Sequence, residues 1–521
     1  MPEAARYDAI VIGAGLGGLT AATLLAQAGR KTLLIERNSS VGGAASTYRV
    51  GDLVVEASLH ATSDPVAAVD PKHFILRRIG VLDSVQWVPT GSLYEVRGGP
   101  VGEPFTLADD FATARAGLLE RFPTAKSGIA AVLADMEKIA VSLGTLSRRR
   151  EAFRDPREGF GALVNLAPVV RDWRRSVTEV FDRAFGANES VKCALAANLG
   201  YWHDDPDELW WVLFAVAQGG YLASGGRYVR GGSARLSQAL ANAFTSAGGE
   251  ILLSRKLTGI LLDGQGHASG VVHQAPEGAD AAEALAPILI ANAAPASIAA
   301  MLPVAAREHF GSAYARQRLS ISLFAATFGL SVRPATLGFC RYATFLMPSW
   351  MHSLRDQRRS AQLLGEKPGQ GDPALSIVDY SAIDSGLGGP PYPVSVVGVD
   401  RVSNWSGLDK TAYATKRDLW QQAVVEIIDR QFPGFASQIV ASVFNTAVSL
   451  QNYLGTPEGA VYGFAPLPPS GPIWRGPGRS VLTPVHGLYL ASSFAGSGGF
   501  TGAIRAGADC AQRILGTLRE H

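Results

Sequence analysis

Between Tyr7 and Gln27 the chain reads YDAIVIGAGLGGLTAATLLAQ: an apolar run, a turn with glycines at 13, 15 and 18, then apolar residues at helical spacing. The apolar run suits a short strand buried on both faces. Gly29 stands where a helix C-terminus favours glycine. In a G-x-G-x-x-G turn the first glycine permits the tight bend and the second lets backbone approach a pyrophosphate. The third packs helix against strand, and the helix N-terminus attracts the anion. KTLLIER then supplies a second strand that ends on Glu36, where a carboxylate accepts hydrogen bonds from an adenosine ribose. An ordinary tight turn would need neither the strand, the helix nor the acid, so the spacing predicts a dinucleotide site.

A chain of 521 residues divides into two or three domains. Its 47 basic and 45 acidic residues nearly cancel, which excludes a nucleic-acid partner on charge grounds. Cys193, Cys340 and Cys510 stand far apart, so no disulfide framework, dithiol centre or metal site is expected. The opening MPEAAR has no basic-then-apolar leader. Leu319–Val332, the nearest thing to a membrane span, is too short and reads as one or two buried strands. A cytoplasmic protein, in solution or peripheral to a membrane, is the expectation.

After the opening unit the chain changes character, mostly helical from about residue 105 to 215 and mixed from 300 to 475. Nucleotide-type units recur at Ser233–Asp263, at Ala286–Pro295 and at the end. This predicts an α/β fold, a Rossmann-like dinucleotide-binding domain interleaved with an α+β substrate domain. The first comprises residues 1–85, 225–300 and 475–521, and the second 86–224 and 301–474.

The end of the chain repeats the opening device. GLYLASSFAGSGGFTGAIRAGADCAQRIL reads as strand, glycine-rich loop and a helix from about Thr501. A flexible linker would not be framed by a strand and an amphipathic helix. Together with ERNSSVGGAAS, which sets Gly42 and Gly43 just after the acid, it resembles the flavoprotein superfamily of phytoene desaturases and amine oxidases. The resemblance implies FAD, held at its adenosine end by the first turn and at its ring by the second. A helix N-terminus there stabilises the negative charge of reduced flavin. The cofactor set so implied is Gly13, Gly15, Leu16, Gly17, Gly18, Glu36, Arg37, Gly42, Gly43, Ala44, Ala45, Leu257, Ser493, Gly498, Gly499, Phe500, Thr501 and Gly502. One departure stands out. Many members carry an acid near the start of the last turn to bind the ribityl chain, and this chain has Ser492 and Ser493.

GRYVRGGSARL, LIANAAP and NYLGTPEGAVYGF are similar to segments of phytoene desaturases, carotenoid isomerases and retinol saturases. The small residues of GGAAS place the chain nearer the isomerases and saturases. The resemblance implies desaturation, saturation or cis–trans isomerisation of a carbon–carbon bond in an isoprenoid-like or other lipid substrate. Flavin N5 would exchange the hydride, and oxygen or a quinone would take any net electrons. His60, after the strand-like GDLVVEAS, is the candidate catalytic residue; a structural histidine is the alternative. Tyr201, Trp202, His203, Tyr453 and Tyr462 are candidates to line the substrate path, though aromatic residues at helical spacing also build cores. Asp204–Asp205 before Pro206 reads as a helix N-cap. Residues 148–175 suit a helix resting on anionic lipid, or else a solvated basic helix. Two rivals share the frame: a flavin amine oxidase releasing peroxide, and a non-catalytic escort protein that binds lipidated partners.

Overall fold

The computed structural model describes residues 5–57, 60–148, 166–276, 278 and 280–517. Its organising layer is a five-stranded parallel sheet, ordered Glu250–Leu252, Thr32–Ile35, Ala9–Ile12, Leu289–Ala291 and Leu488–Leu490. The strands come from the start, middle and end of the chain and are only three or four residues long. Ala9–Ile12, Thr32–Ile35 and Leu289–Ala291 are wholly buried, as parallel strands covered on both faces must be.

The helix Leu16–Gln27 lies between Ala234–Ser246 and Gly499–Thr517 and is buried from Leu16 to Ala26. It is apolar on every side, as a helix with neighbours all round should be. Its approach to the last helix is set by missing side chains. A Cβ on Gly507 would lie 2.2 Å from the Gly17 carbonyl oxygen, and one on Gly17 would lie 1.8 Å from that of Ala491. A second sheet of four strands, Ala5–Arg6, Ala282–Leu285, Ala268–Gln274 and Lys256–Leu262, flanks the first.

The remaining mass is built on a seven-stranded sheet, ordered Ile439–Asn445, Ser322–Leu330, Tyr392–Asp400, Leu375–Asp379, Ala343–Met347, Tyr94–Gly98 and Gly102–Leu107. The Leu319–Val332 stretch supplies its nine-residue inner strand. From Phe111 to Ser224 the described residues are mainly helical, with Lys126–Arg148 packed along Trp211–Ser224. The last helix starts at Gly499, within two residues of Thr501. One expectation is corrected here. Asp204–Asp205 do not cap a helix. Asp205 accepts from the Asp207 N–H at 2.9 Å and closes a turn, whereas Asp204 is buried in an ion pair with Arg401. The next helix begins only at Trp211; a distant arginine outweighed the local capping preference.

Because Gly507 meets backbone rather than a movable side chain, Gly507→Val is expected to cost about 1–3 kcal/mol or more. Urea unfolding should show a lower midpoint, and an unchanged midpoint would mean that the two helices do not touch here.

Candidate active site

A cavity of about 820 Å³ runs between the two sheets and is lined by residues of both glycine turns. Gly13, Gly15, Leu16, Glu36, Arg37, Gly42, Gly43, Ala44, Ala45 and Leu257 line it, and so do Ser493, Gly498, Gly499, Phe500, Thr501 and Gly502. The two ends of the sequence therefore face one space, large enough for a sizeable ligand.

At the first turn Gly13 has φ +95°, which a side chain would strain. Glu36 is buried, and its carboxylate accepts from the N–H groups of Ala14 (2.7 Å) and Asn38 (2.9 Å). It thereby holds the turn while bordering the cavity. Gly42, with φ +119°, donates its N–H to the Ala14 carbonyl at 2.8 Å and so draws the second loop beside the first. Gly17 and Gly18 do not border the cavity. They are packing glycines: a Cβ on Gly18 would lie 2.1 Å from the Gly13 carbonyl oxygen.

Arg37 donates to the Asn452 carbonyl (3.2 Å) and to that of Tyr453. The Tyr453 hydroxyl in turn donates to the Gly43 carbonyl at 3.2 Å. Tyr453, a candidate for the substrate path, borders the cavity and closes over the nucleotide loops. His203 departs from expectation. It lies outside the cavity lining, buried 3.2 Å from Asp204, with Nδ1 accepting from the Asp205 N–H.

His60, Tyr201, Trp202 and Tyr462 line the other end of the cavity. His60 Nδ1 and the Tyr201 hydroxyl are 2.5 Å apart, and that hydroxyl also meets Ser376 Oγ. The Tyr342 hydroxyl donates to the His60 carbonyl. Burial lowers the His60 pKa to about 4 and raises that of Tyr201, so both groups are neutral near pH 7.

Three residues that sequence reasoning missed complete the site. Asn292 follows the strand Leu289–Ala291. With both amide atoms satisfied it accepts from the Gly15 N–H (2.9 Å) and donates to the Ala491 carbonyl (3.1 Å), tying the two turns together. Its position in the middle of LIANAAP, directly after the apolar run, was the available signal. Lys72 is buried and donates to Ser63 Oγ and Asp70 Oδ2 (2.8 Å each) and to Thr501 Oγ1 at 2.9 Å. Burial pulls its pKa down while Asp70 resists. Arg479 borders the cavity from a loop that carries no motif.

A nucleotide carboxylate, two glycine loops at one end and a glycine-led helix at the other match a long dinucleotide held at both ends. Residues 16–284 match the model of the flavin containing amine oxidoreductases. The chain belongs to that family. FAD is its cofactor, and the residues just described as bordering the cavity are the ones that would hold it.

At 24% identity over 546 aligned positions, the chain resembles the all-trans-retinol 13,14-reductase of Rattus norvegicus, covering 99% of this chain and 86% of the relative. A chloroplastic prolycopene isomerase of an Oncidium hybrid cultivar is 24% identical over 545 positions, covering 99% and 85%. Among solved structures, putrescine oxidase bound to putrescine matches with TM-score 0.63 and 16% identity, over 98% of this chain and 99% of that one. An oxidoreductase from Methanosarcina mazei matches with TM-score 0.61 and 14% identity, over 98% and 100%. These two likenesses concern the fold.

His60 carries a pH dependence with a definite sign. Its folded pKa of about 4 lies below the ordinary 6.5, so between these values the unfolded chain binds a proton that the folded chain refuses. Its contribution to stability is intact above pH 6.5 and falls by up to about 3 kcal/mol as the pH drops towards 4. Relative to wild type, His60→Gln should flatten the stability profile in that window, as measured by urea unfolding at a series of pH values. Parallel profiles would show that His60 is not buried neutral.

Proposed function

We propose that the protein is an FAD-dependent oxidoreductase that saturates, desaturates or isomerises a carbon–carbon double bond in an apolar polyene. The observation that carries this is the charge inventory of the cavity. Among the described residues the only lining carboxylates are Glu36 and Asp70. Glu36 is occupied by backbone N–H groups and Asp70 by Lys72. An ammonium substrate finds no free counter-charge, whereas an apolar chain finds Leu213, Val216, Leu323, Phe345 and Val397. The names of the retinol reductase and the prolycopene isomerase support the same reading. They also favour it over an amine oxidase or an escort protein.

FAD, when bound, supplies hydride chemistry at its ring. The chain must exclude water, orient the polyene and manage a proton. Buried and neutral, Tyr201 and His60 form the polar contact placed to do the last. Tyr201 holds its hydroxyl proton between His60 Nδ1 and Ser376 Oγ, and its raised pKa keeps it protonated. Any electron partner, oxygen or a quinone, belongs to this proposal as well.

Purified protein should be yellow, and its reduced or oxidised flavin should change spectrum anaerobically with retinoids or carotenes but not with an amine panel. An isomerase would yield geometric isomers with the flavin unchanged. Tyr201→Phe should retain FAD and lower turnover of a saturating or desaturating enzyme by about 10²-fold or more. Peroxide release on amines with inert polyenes would reverse the assignment.

A membrane-surface contact completes the proposal. Of the basic segment 148–175, residues 149–165 lie outside the described residues. On the flank, Arg171, Arg175 and Arg183 meet the buried Asp172, Arg171 also pairs with Asp135 and Arg175 with Glu179, and Arg174 is exposed beside them. Trp173 donates to the Gly471 carbonyl at 3.0 Å, which joins this flank to the loop carrying Trp474, 83% exposed. Among the described residues no helix is long and apolar enough to cross a membrane. The exposed Arg174 and Trp474 suit the surface of an anionic bilayer. Vesicles containing anionic lipid should pellet with the wild type, and less with Arg174→Glu combined with Trp474→Ser; equal pelleting would remove the contact.

A further inference from the structure

The loop and helix start from Leu490 to Gly507, LASSFAGSGGFTGAIRAG, contain no acidic residue and one basic one, Arg505. Arg479 joins it from the preceding segment. Its guanidinium donates to the carbonyls of Gly496, Phe464 (2.9 Å) and Ala465 (2.7 Å), and the residue borders the cavity. These partners are all neutral. Neither Arg479 nor Arg505, which borders the same cavity, has an ion pair among the described residues. Burial brings the Arg479 pKa down to about 10, with no carboxylate to raise it, so at neutral pH it remains a cation. A half-buried cation that meets only dipoles is left short of counter-charge, and an anion on the cavity side offsets that cost. A guanidinium has five N–H donors, and the three carbonyls leave it capacity for another acceptor. The serines at 492 and 493, where an acid would have supplied a negative neighbour, leave this end of the cavity positive.

We propose that Arg479, with Arg505 on the same cavity, forms a binding site for an anionic oxygen of a ligand held there. The oxygen belongs either to FAD, in its phosphates or reduced ring, or to a carboxylate at the polar end of the substrate. This deepens the reading above and rests on FAD occupying the cavity. The three carbonyl contacts hold the guanidinium's orientation, so that the Ser492–Gly498 loop and the segment Phe464–Ala465 meet around a fixed charge.

The test uses FAD-loaded wild type, Arg479→Lys, which keeps the charge, and Arg479→Gln, which keeps donors but not the charge. Three dissociation constants are read: FAD by recovery of its fluorescence, sulfite by bleaching of the flavin, and laurate by perturbation of the flavin spectrum, with 1-dodecanol as the uncharged control. In Arg479→Gln at least one of the three constants should rise about tenfold or more, the scale of one charge-assisted hydrogen bond. Arg479→Lys, which keeps the charge and loses the fork, should weaken the same constant by less than Arg479→Gln does, and dodecanol should not respond. Weakening of FAD or sulfite identifies the cofactor as the source of the anion, and weakening of laurate alone identifies a substrate carboxylate. Wild-type constants in Arg479→Gln would overturn the proposal. So would a lysine variant that fails as badly as glutamine, because the fork's grip on the carbonyls would then matter and not its charge. A colourless wild type that cannot be loaded defeats the FAD reading and this site with it; a yellow wild type with unmoved variants defeats this site alone.

Discussion

The close approach of two helices from opposite ends of the chain is the constraint on which the site depends. With Gly17 and Gly507 at the crossing, Leu16–Gln27 and Gly499–Thr517 come near enough for the turns that precede them to open into one cavity. Side chains at the crossing would push the helices apart by a methyl group or more, and packed interiors do not absorb such a change freely. The neighbouring strands Ala9–Ile12 and Leu488–Leu490, both paired to Leu289–Ala291, keep the two turns level. Asn292, directly after that shared strand, hydrogen-bonds to both turns. A long cofactor in this cavity would be gripped by segments some five hundred residues apart.

Polarity is distributed along the cavity to match. The nucleotide end holds Glu36, whose carboxylate two backbone N–H groups fix in place, together with Arg37 and Tyr453 closing over the loops. Beside Arg479 and Arg505, the far end carries the neutral groups His60, Tyr201 and Tyr462, whose pKa values burial moves away from the charged forms. A buried charge beside an apolar substrate would be costly, and a neutral hydroxyl–imidazole pair can still pass a proton. Lys72 makes the same point from the other side, since its charge is confined by Asp70 and spent on positioning Thr501.

The local motifs were legible because their physics is local. A strand, a glycine turn, a helix and an acid occur within the first 36 residues, and each constrains the next. The same holds for the second turn, even to within two residues of the helix start. What escaped was decided by distant partners. Asp204 looked like a cap, and Arg401, almost two hundred residues on, took it into an ion pair. His203 was an aromatic residue in a suggestive segment, yet it folded into a polar cluster away from the cavity. Lys72 and Arg479 belong to no motif, and the burial of Lys72 is decided by Ser63, Asp70 and Thr501, the last more than four hundred residues away.

These misses share a cause that bears on the chemistry. Cofactor-binding residues sit on backbone features whose geometry leaves a trace in composition, chiefly glycine. Substrate-facing residues sit wherever the seven-stranded sheet and the helices Lys126–Arg148 and Trp211–Ser224 happen to enclose the cavity. Nothing in their spacing need repeat. A frame that fixes the cofactor and leaves the opposite wall free can exchange one substrate class for another by altering that wall alone. Fold likeness to a putrescine oxidase and a polyene-suited, carboxylate-poor wall are therefore compatible in one chain. The wall, not the frame, carries the argument about which bond is attacked.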